Sequence, residues 1–156
     1  MKRIGLLLVG HIDAGSLHVG GDYPELYAEL LQPLGIELTP YRCDDGQLPD
    51  SLDEQDGWMC SPSRLSVYDD HAWLRDVEQL LRDMVAKETP YVGICFGHQL
   101  LGMLYGAYPS KMREDRDWQE IEQLEDDLLL EKLPSVFSMM EDHCESISIP
   151  QHFTLL

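Results

Sequence analysis

The sequence predicts an α/β protein: a mostly parallel sheet with helices on both faces and one sharp strand-to-helix corner at a strand's carboxyl end. Three observations lead there. Residues 2–9 read as an apolar strand, as expected when both faces of a sheet are covered. Strand-like and helix-like stretches then alternate, which is the pattern of β-α-β units. Finally, Gly93-Ile94-Cys95-Phe96-Gly97-His98-Gln99 follows a short apolar run at 90–92 and opens into an apolar-rich stretch at 100–105. A strand, a turn and a helix are expected, with Cys95 at the apex.

Each element has its own signal. After the first strand a polar, Gly-rich loop runs over 10–22. Asp22 then reads as a helix N-cap, with Pro24 and Glu25 in the first turn. Leu26, Tyr27, Leu30, Leu31 and Leu34 recur at helical spacing, and Gly35 ends that helix. Residues 36–41 alternate and are β-like. An acidic, turn-rich stretch over 43–56 leads to a brief third strand, Gly57-Trp58-Met59-Cys60. Asp69 or Asp70 is placed to cap a second helix, where Trp73, Leu74, Val77, Leu80, Leu81, Met84 and Val85 form one apolar stripe. Thr89-Pro90 stops it, and the Cys95 strand begins. Beyond residue 108 the patterns weaken: 111–117 reads as a charged loop, and the acidic run 120–133 fits helix and strand equally poorly. That run reads as a solvated face.

Composition narrows the function. At 156 residues the chain is one domain, 1–156, with 44% hydrophobic residues, enough for a real core. Its 29 acidic and 11 basic side chains leave a net charge of −18, which would be repelled by nucleic acid and by anionic membranes. Neither partner is expected, and no apolar run has the length of a membrane span. Residues 4–10 after Met1-Lys2-Arg3 resemble the start of a signal peptide, but His11 and Asp13 follow at once, so a buried strand is the reading. The four cysteines, Cys43, Cys60, Cys95 and Cys144, show neither Cys-x-x-Cys pairing nor zinc-ligand spacing. Reduced thiols in a cytoplasmic protein are expected, with no metal and no cofactor.

The corner itself carries chemistry. Gly93 and Gly97 remove side chains that would clash with neighbouring backbone in a strained turn, the cysteine counterpart of the Gly-x-Ser-x-Gly nucleophile elbow. A thiol at a helix start also gains from the positive end of the dipole, which favours the reactive thiolate. Residues 93–101 resemble the nucleophile motif of the class I, triad-type glutamine amidotransferases. The segment Asp56-Gly57-Trp58-Met59-Cys60-Ser61-Pro62-Ser63-Arg64-Leu65-Ser66-Val67-Tyr68-Asp69-Asp70 is similar to that family's Gly-Ser turn followed by Ser-Val-Tyr-Asp-Asp. The resemblance covers residues 1 to about 110 well and the rest more loosely, and is closest to stand-alone members such as γ-glutamyl peptide hydrolases. It implies a flavodoxin-like fold and a small-molecule substrate, glutamine or a γ-glutamyl compound, cleaved through a thioester on Cys95. It further implies Phe96 N–H as an oxyanion donor, Gly97 and Gln99 at the substrate site, and an ammonia-accepting partner.

Two departures from the pattern stand out. Pro62 occupies the position of the glycine whose N–H is the second oxyanion donor, and proline has no N–H. A one-residue shift gives Ser61 or Ser63 that role. The family's catalytic His-x-Glu is also missing. Among the six histidines only His143-Cys144-Glu145 has that form, and its neighbours look like an earlier His-x-Asp segment followed by Leu-Pro, so His143 is not read as the base. His98, within the motif, is expected to pack or hydrogen-bond locally. The expectation is a domain lacking its C-terminal part, with exposed sheet edges that favour a homodimer. The alternative is a catalytically degenerate member acting as a binding or regulatory module.

Overall fold

The computed structural model describes the backbone of residues 1–156 and every side chain except those at 109 and 111–115. Four parallel strands form the central sheet in the order β2-β1-β3-β4, with β1 at Lys2–Leu8, β2 at Ile36–Arg42, β3 at Gly57–Cys60 and β4 at Tyr91–Gly93. The chain steps outward from β1 to β2, then returns past β1 to β3. Right-handed crossovers therefore place helix α2 (Tyr23–Leu31) on one face and helix α3 (Ala72–Ala86) on the other. The carboxyl edge beside β1 and β3 is the topological switch point, where ligands bind in such sheets. This is the flavodoxin-like α/β architecture.

Burial explains the apolar first strand: Leu6, Leu7, Leu8 and the following Val9 are all at most 1% exposed. Helix α3 contributes Leu74, Val77, Leu81 and Met84 to the same core, with Trp73 and Leu80 at its margin. Val85, expected on that stripe, is exposed instead. The expected aspartate cap of α3 is also absent. The N-cap is His71, without a side-chain cap bond. Asp70 and Asp69 lie one and two residues too early; Asp69 accepts from Ser66 N–H at 2.9 Å and Asp70 pairs with Arg75 at 2.5 Å.

Helix α2 has the expected cap. Asp22 and Glu25 form a reciprocal capping box, and Pro24 sits in the first turn. Its α-helical part ends at Leu31, short of Gly35, because Pro33 has no N–H to continue the ladder. A 3-10 turn, Gln32–Leu34, carries the chain to Gly35, whose φ of +72° only glycine adopts readily. No residue of α2 is fully buried, so its apolar stripe covers the sheet only in part. One short helix, α1 (Leu17–Gly20), lies within the loop expected over 10–22.

The region after helix α4 (Phe96–Leu104) departs most from expectation. Residues 111–117 are not a charged loop. They lie in strand β5 (Pro109–Glu122), paired antiparallel with β6 (Val136–Ile147) as a separate two-stranded ribbon. Cross-strand pairs such as Trp118↔Met140 and Ile121↔Phe137 set its register. The pairing partners lie well apart in sequence, from Glu122↔Val136 out to Pro109↔Ile147, and the acidic side chains of β5 hide its alternation. The 120–133 run is strand to Glu122 and turns thereafter. Among the described residues no helix is long and apolar enough to cross a membrane.

Candidate active site

Three loops at the carboxyl edge build one cleft of about 810 Å³: the segment after β1, the turn after β3 and the corner after β4, closed on a further side by β6. Ser61 ties the first two together. It is fully buried; its N–H donates to Leu7 C=O at 3.0 Å, and its Oγ accepts from Val9 N–H and donates to Pro62 C=O, each at 3.0 Å. Gly10 allows the same closeness, since a Cβ there would lie 2.8 Å from Ser63 Cα.

Cys95 stands at the apex of the corner, with φ +51° and ψ −105°, a conformation that L-residues seldom adopt. Helix α4 starts at the next residue, and its first turn is closed by His98 and Gln99 N–H donating to Cys95 C=O at 3.1 and 3.0 Å. Both flanking glycines are required by packing. A Cβ at Gly93 would sit 2.6 Å from backbone atoms of Gly97 and His98, and one at Gly97 would sit 2.7 Å from Cys60 Cβ. Tyr91 Oη donates to Gly97 C=O at 3.0 Å and pins the turn from behind. Gly97 is therefore buried behind the corner, a spacer between α4 and β3 rather than part of the cleft wall.

Electrostatics correct one expectation. Burial pushes the Cys95 thiol up, and the Phe96 N–H directed at it offsets this only in part. The carboxylates of Asp142 and Glu145 push in the same direction as burial. Burial first, and the acids of β6 after it, thus outweigh what the helix start gives the thiol. The Phe96 side chain itself lies in the core.

Ser63 lines the cleft, and its Oγ accepts from Leu65 N–H at 3.1 Å. Gln99, only 5% exposed, donates through Nε2 to Glu145 C=O at 2.9 Å, bracing β6 against α4. Ser66 Oγ donates to Glu145 Oε1 at 2.8 Å. His143 also lines the cleft, yet its Nε2 meets Glu141 Oε2 at 2.9 Å and its buried Nδ1 has no partner. Among the described residues no imidazole is hydrogen-bonded to the Cys95 sulfur. Burial pushes the His98 imidazole down, while a bond to the Cys95 backbone works the other way.

Sequence reading missed His11, Asp13, Tyr23, Ser66, Asp142 and Glu145 as wall residues. Asp22 was legible only as a cap. Its second partner, His11 at 2.5 Å, has no local signature.

Sheet, switch point and strained cysteine turn together define an α/β protein of the cysteine-elbow type. Residues 18–155 match the family model described as glutamine amidotransferase class-I, and the chain belongs to that family. It is similar to "Gamma-glutamyl peptidase 4" of Arabidopsis thaliana, 26% identical over 60% of this chain and 38% of the relative. It is also similar to "GMP synthase [glutamine-hydrolyzing]" of Borreliella burgdorferi (strain N40), 28% identical over 90% of this chain and 27% of the relative. The chain thus spans less than half the length of either. A solved glutamine amidotransferase from Thermotoga maritima superposes with a TM-score of 0.83 at 18% identity, covering 98% of this chain and 65% of that one. At that identity the superposition bears on fold alone.

Proposed function

We propose that the protein hydrolyses the side-chain amide of glutamine, or a γ-glutamyl bond, with Cys95 as nucleophile. The sulfur attacks the γ-carbonyl carbon, its proton passes to the leaving nitrogen, and ammonia or an amine departs. Water then cleaves the γ-glutamyl thioester to glutamate and regenerates the thiol. The observation carrying this reading is the left-handed Cys95 corner opening onto the cleft at the sheet's switch point. Phe96 N–H is the first oxyanion donor. Ser61 N–H is engaged by Leu7 C=O, so Ser63 is the remaining candidate for the second. Gln99 holds β6 as the far wall, and Gly97 keeps the turn compact. Glutamate release from glutamine and from a γ-glutamyl dipeptide tests the reading; release from neither overturns it.

Pro62 should limit the rate. Pro62→Gly restores a donor at the turn and is expected to raise turnover toward the 10²–10³-fold, about 2.7–4 kcal/mol, that one oxyanion donor contributes. Steady-state kcat for glutamate release checks this. An unchanged rate assigns the second donor to Ser63.

A relative named for GMP synthesis supports an ammonia-accepting partner for this chain. The open outer edge of β4, with Val92 exposed, supports a homodimer as the other association. Four free cysteines suit a cytoplasmic setting. The raised thiol, Pro62 and the lack of an imidazole at sulfur favour a second reading, a binding or regulatory module. It predicts glutamine binding without glutamate release, measured by calorimetry beside the activity assay.

A further inference from the structure

We propose that His11, as an imidazolium hydrogen-bonded through Nδ1 to Asp22 and ion-paired through Nε2 with Asp44, is a positioning residue that clamps the 10–22 loop as a wall of the Cys95 cleft, and that the clamp opens when His11 loses its proton. Nδ1 meets Asp22 Oδ2 at 2.5 Å and Nε2 meets Asp44 Oδ2 at 2.8 Å. A neutral imidazole has one N–H and one lone pair, so only the protonated ring can donate to two carboxylates. Deprotonation turns one of these contacts into lone pair against carboxylate.

The clamp joins three elements. His11 follows β1. Asp22 caps α2, and its Oδ1 accepts from Ile12 N–H at 2.8 Å and Tyr23 N–H at 2.9 Å. Asp44 lies in the 3-10 turn Cys43–Asp45 directly after β2, and its other oxygen is buried without a partner. His11 is thus the group that neutralises Asp44 there. The charged groups facing His11 are Asp22 from the start of α2 and Asp44 from the turn after β2. Arg42 is turned to Asp45 at 2.9 Å, and Arg64, from the turn after β3, stands 4.0 Å from Asp13. His11, Ile12, Asp13 and Tyr23 all line the cleft that Cys95 opens onto.

Ionisation agrees with the geometry. The bond to Asp22 and the Asp44 charge raise the His11 pKa above its ordinary value, against the opposing effect of burial. Burial would raise Asp22, but the His11 bond and the Ile12 and Tyr23 amides hold it below the usual carboxylate range, so it stays ionised while His11 titrates. The sign follows: a raised folded-state pKa makes the clamp's contribution complete below about pH 6.5 and lost as pH rises through the raised value.

The clamp itself is independent of the proposed reaction; its effect on substrate rests on that reading. Histidine-selective NMR titration of the whole chain, hydrogen exchange at Ile12 and Tyr23, and glutamine affinity of Cys95→Ala are measured across this range, with His11→Gln and Asp44→Asn alongside. His11 is expected to titrate above 6.5, and about one pH unit lower in Asp44→Asn. Amide protection at Ile12 and Tyr23 should fall above the midpoint and be low at every pH in His11→Gln, and glutamine affinity should drop about fivefold with it. A midpoint at or below 6.5, or protection that is unchanged by pH and by either substitution, overturns the clamp. Unaltered glutamine affinity beside an intact clamp overturns the positioning role. Glutamine binding at no pH sinks the proposed reaction, while titration and exchange still decide the clamp.

Discussion

Cys95→Ser should lower glutamate release by on the order of 10³-fold or more while leaving the unfolding midpoint nearly unchanged. The hydroxyl is close in size to the thiol and tolerates the same φ of +51°, so folding is preserved. Its pKa is far beyond reach of a cleft whose nearest β6 charges, at Asp142 and Glu145, are negative. The same environment sets the wild-type pH profile. Only the thiolate attacks, and burial has raised the Cys95 thiol above the ordinary value of about 8.5. Reaction with iodoacetamide should therefore be slower than that of a free thiol at pH 7 and climb beyond pH 8.5. Fast labelling at pH 6 would show a preformed thiolate and contradict the electrostatics described above.

Trp58→Ala should destabilise the domain by about 3–5 kcal/mol. In a chain of this size that corresponds to a midpoint lowered by roughly 6–20 °C, measurable by thermal or urea unfolding. Trp58 lies on β3 and is 1% exposed. Its ring covers Gly5 on the neighbouring strand so closely that a Cβ there would be 2.4 Å from ring carbons. Tyr41 packs with its centroid 5.2 Å away, and Trp58 Nε1 donates to Leu52 C=O at 3.3 Å. Truncation would leave a void beside Gly5 of β1 and Tyr41 of β2, on the strand that leads into the turn carrying Pro62 and Ser63. Loss of glutamine turnover should accompany loss of stability. For Cys95→Ser the two should separate, and that contrast distinguishes chemistry from packing.

The elements that sequence reading located are those written in short-range pattern. The apolar β1, the Asp22 cap with Glu25 three residues on, the α3 stripe and the Gly93-x-Cys95-x-Gly97 corner each declare themselves within a dozen residues, because backbone sterics and helical or strand periodicity act locally. The α3 cap was misread for a local reason too: acids in plausible positions had nearer partners in Ser66 and Arg75. Strands β5 and β6 were illegible because acidic composition masked their alternation and their stability lies in cross-strand pairs.

The candidate site divides in the same way. The amino-acid order alone determined a mostly parallel α/β sheet, from its alternating strands and helices, and the cysteine at its corner, since a strained turn between a strand and a helix demands glycines at fixed offsets; the resemblance of residues 93–101 and 56–70 added the amidotransferase-like family and its flavodoxin-like fold. Only the tertiary structure decided that burial pushes the thiol up, that Gln99 braces Glu145, and that His11 bridges Asp22 and Asp44. Ionisation and wall-building depend on which groups meet in space and how much water is removed around them. Residues tens of positions apart in sequence carry no mark of that meeting.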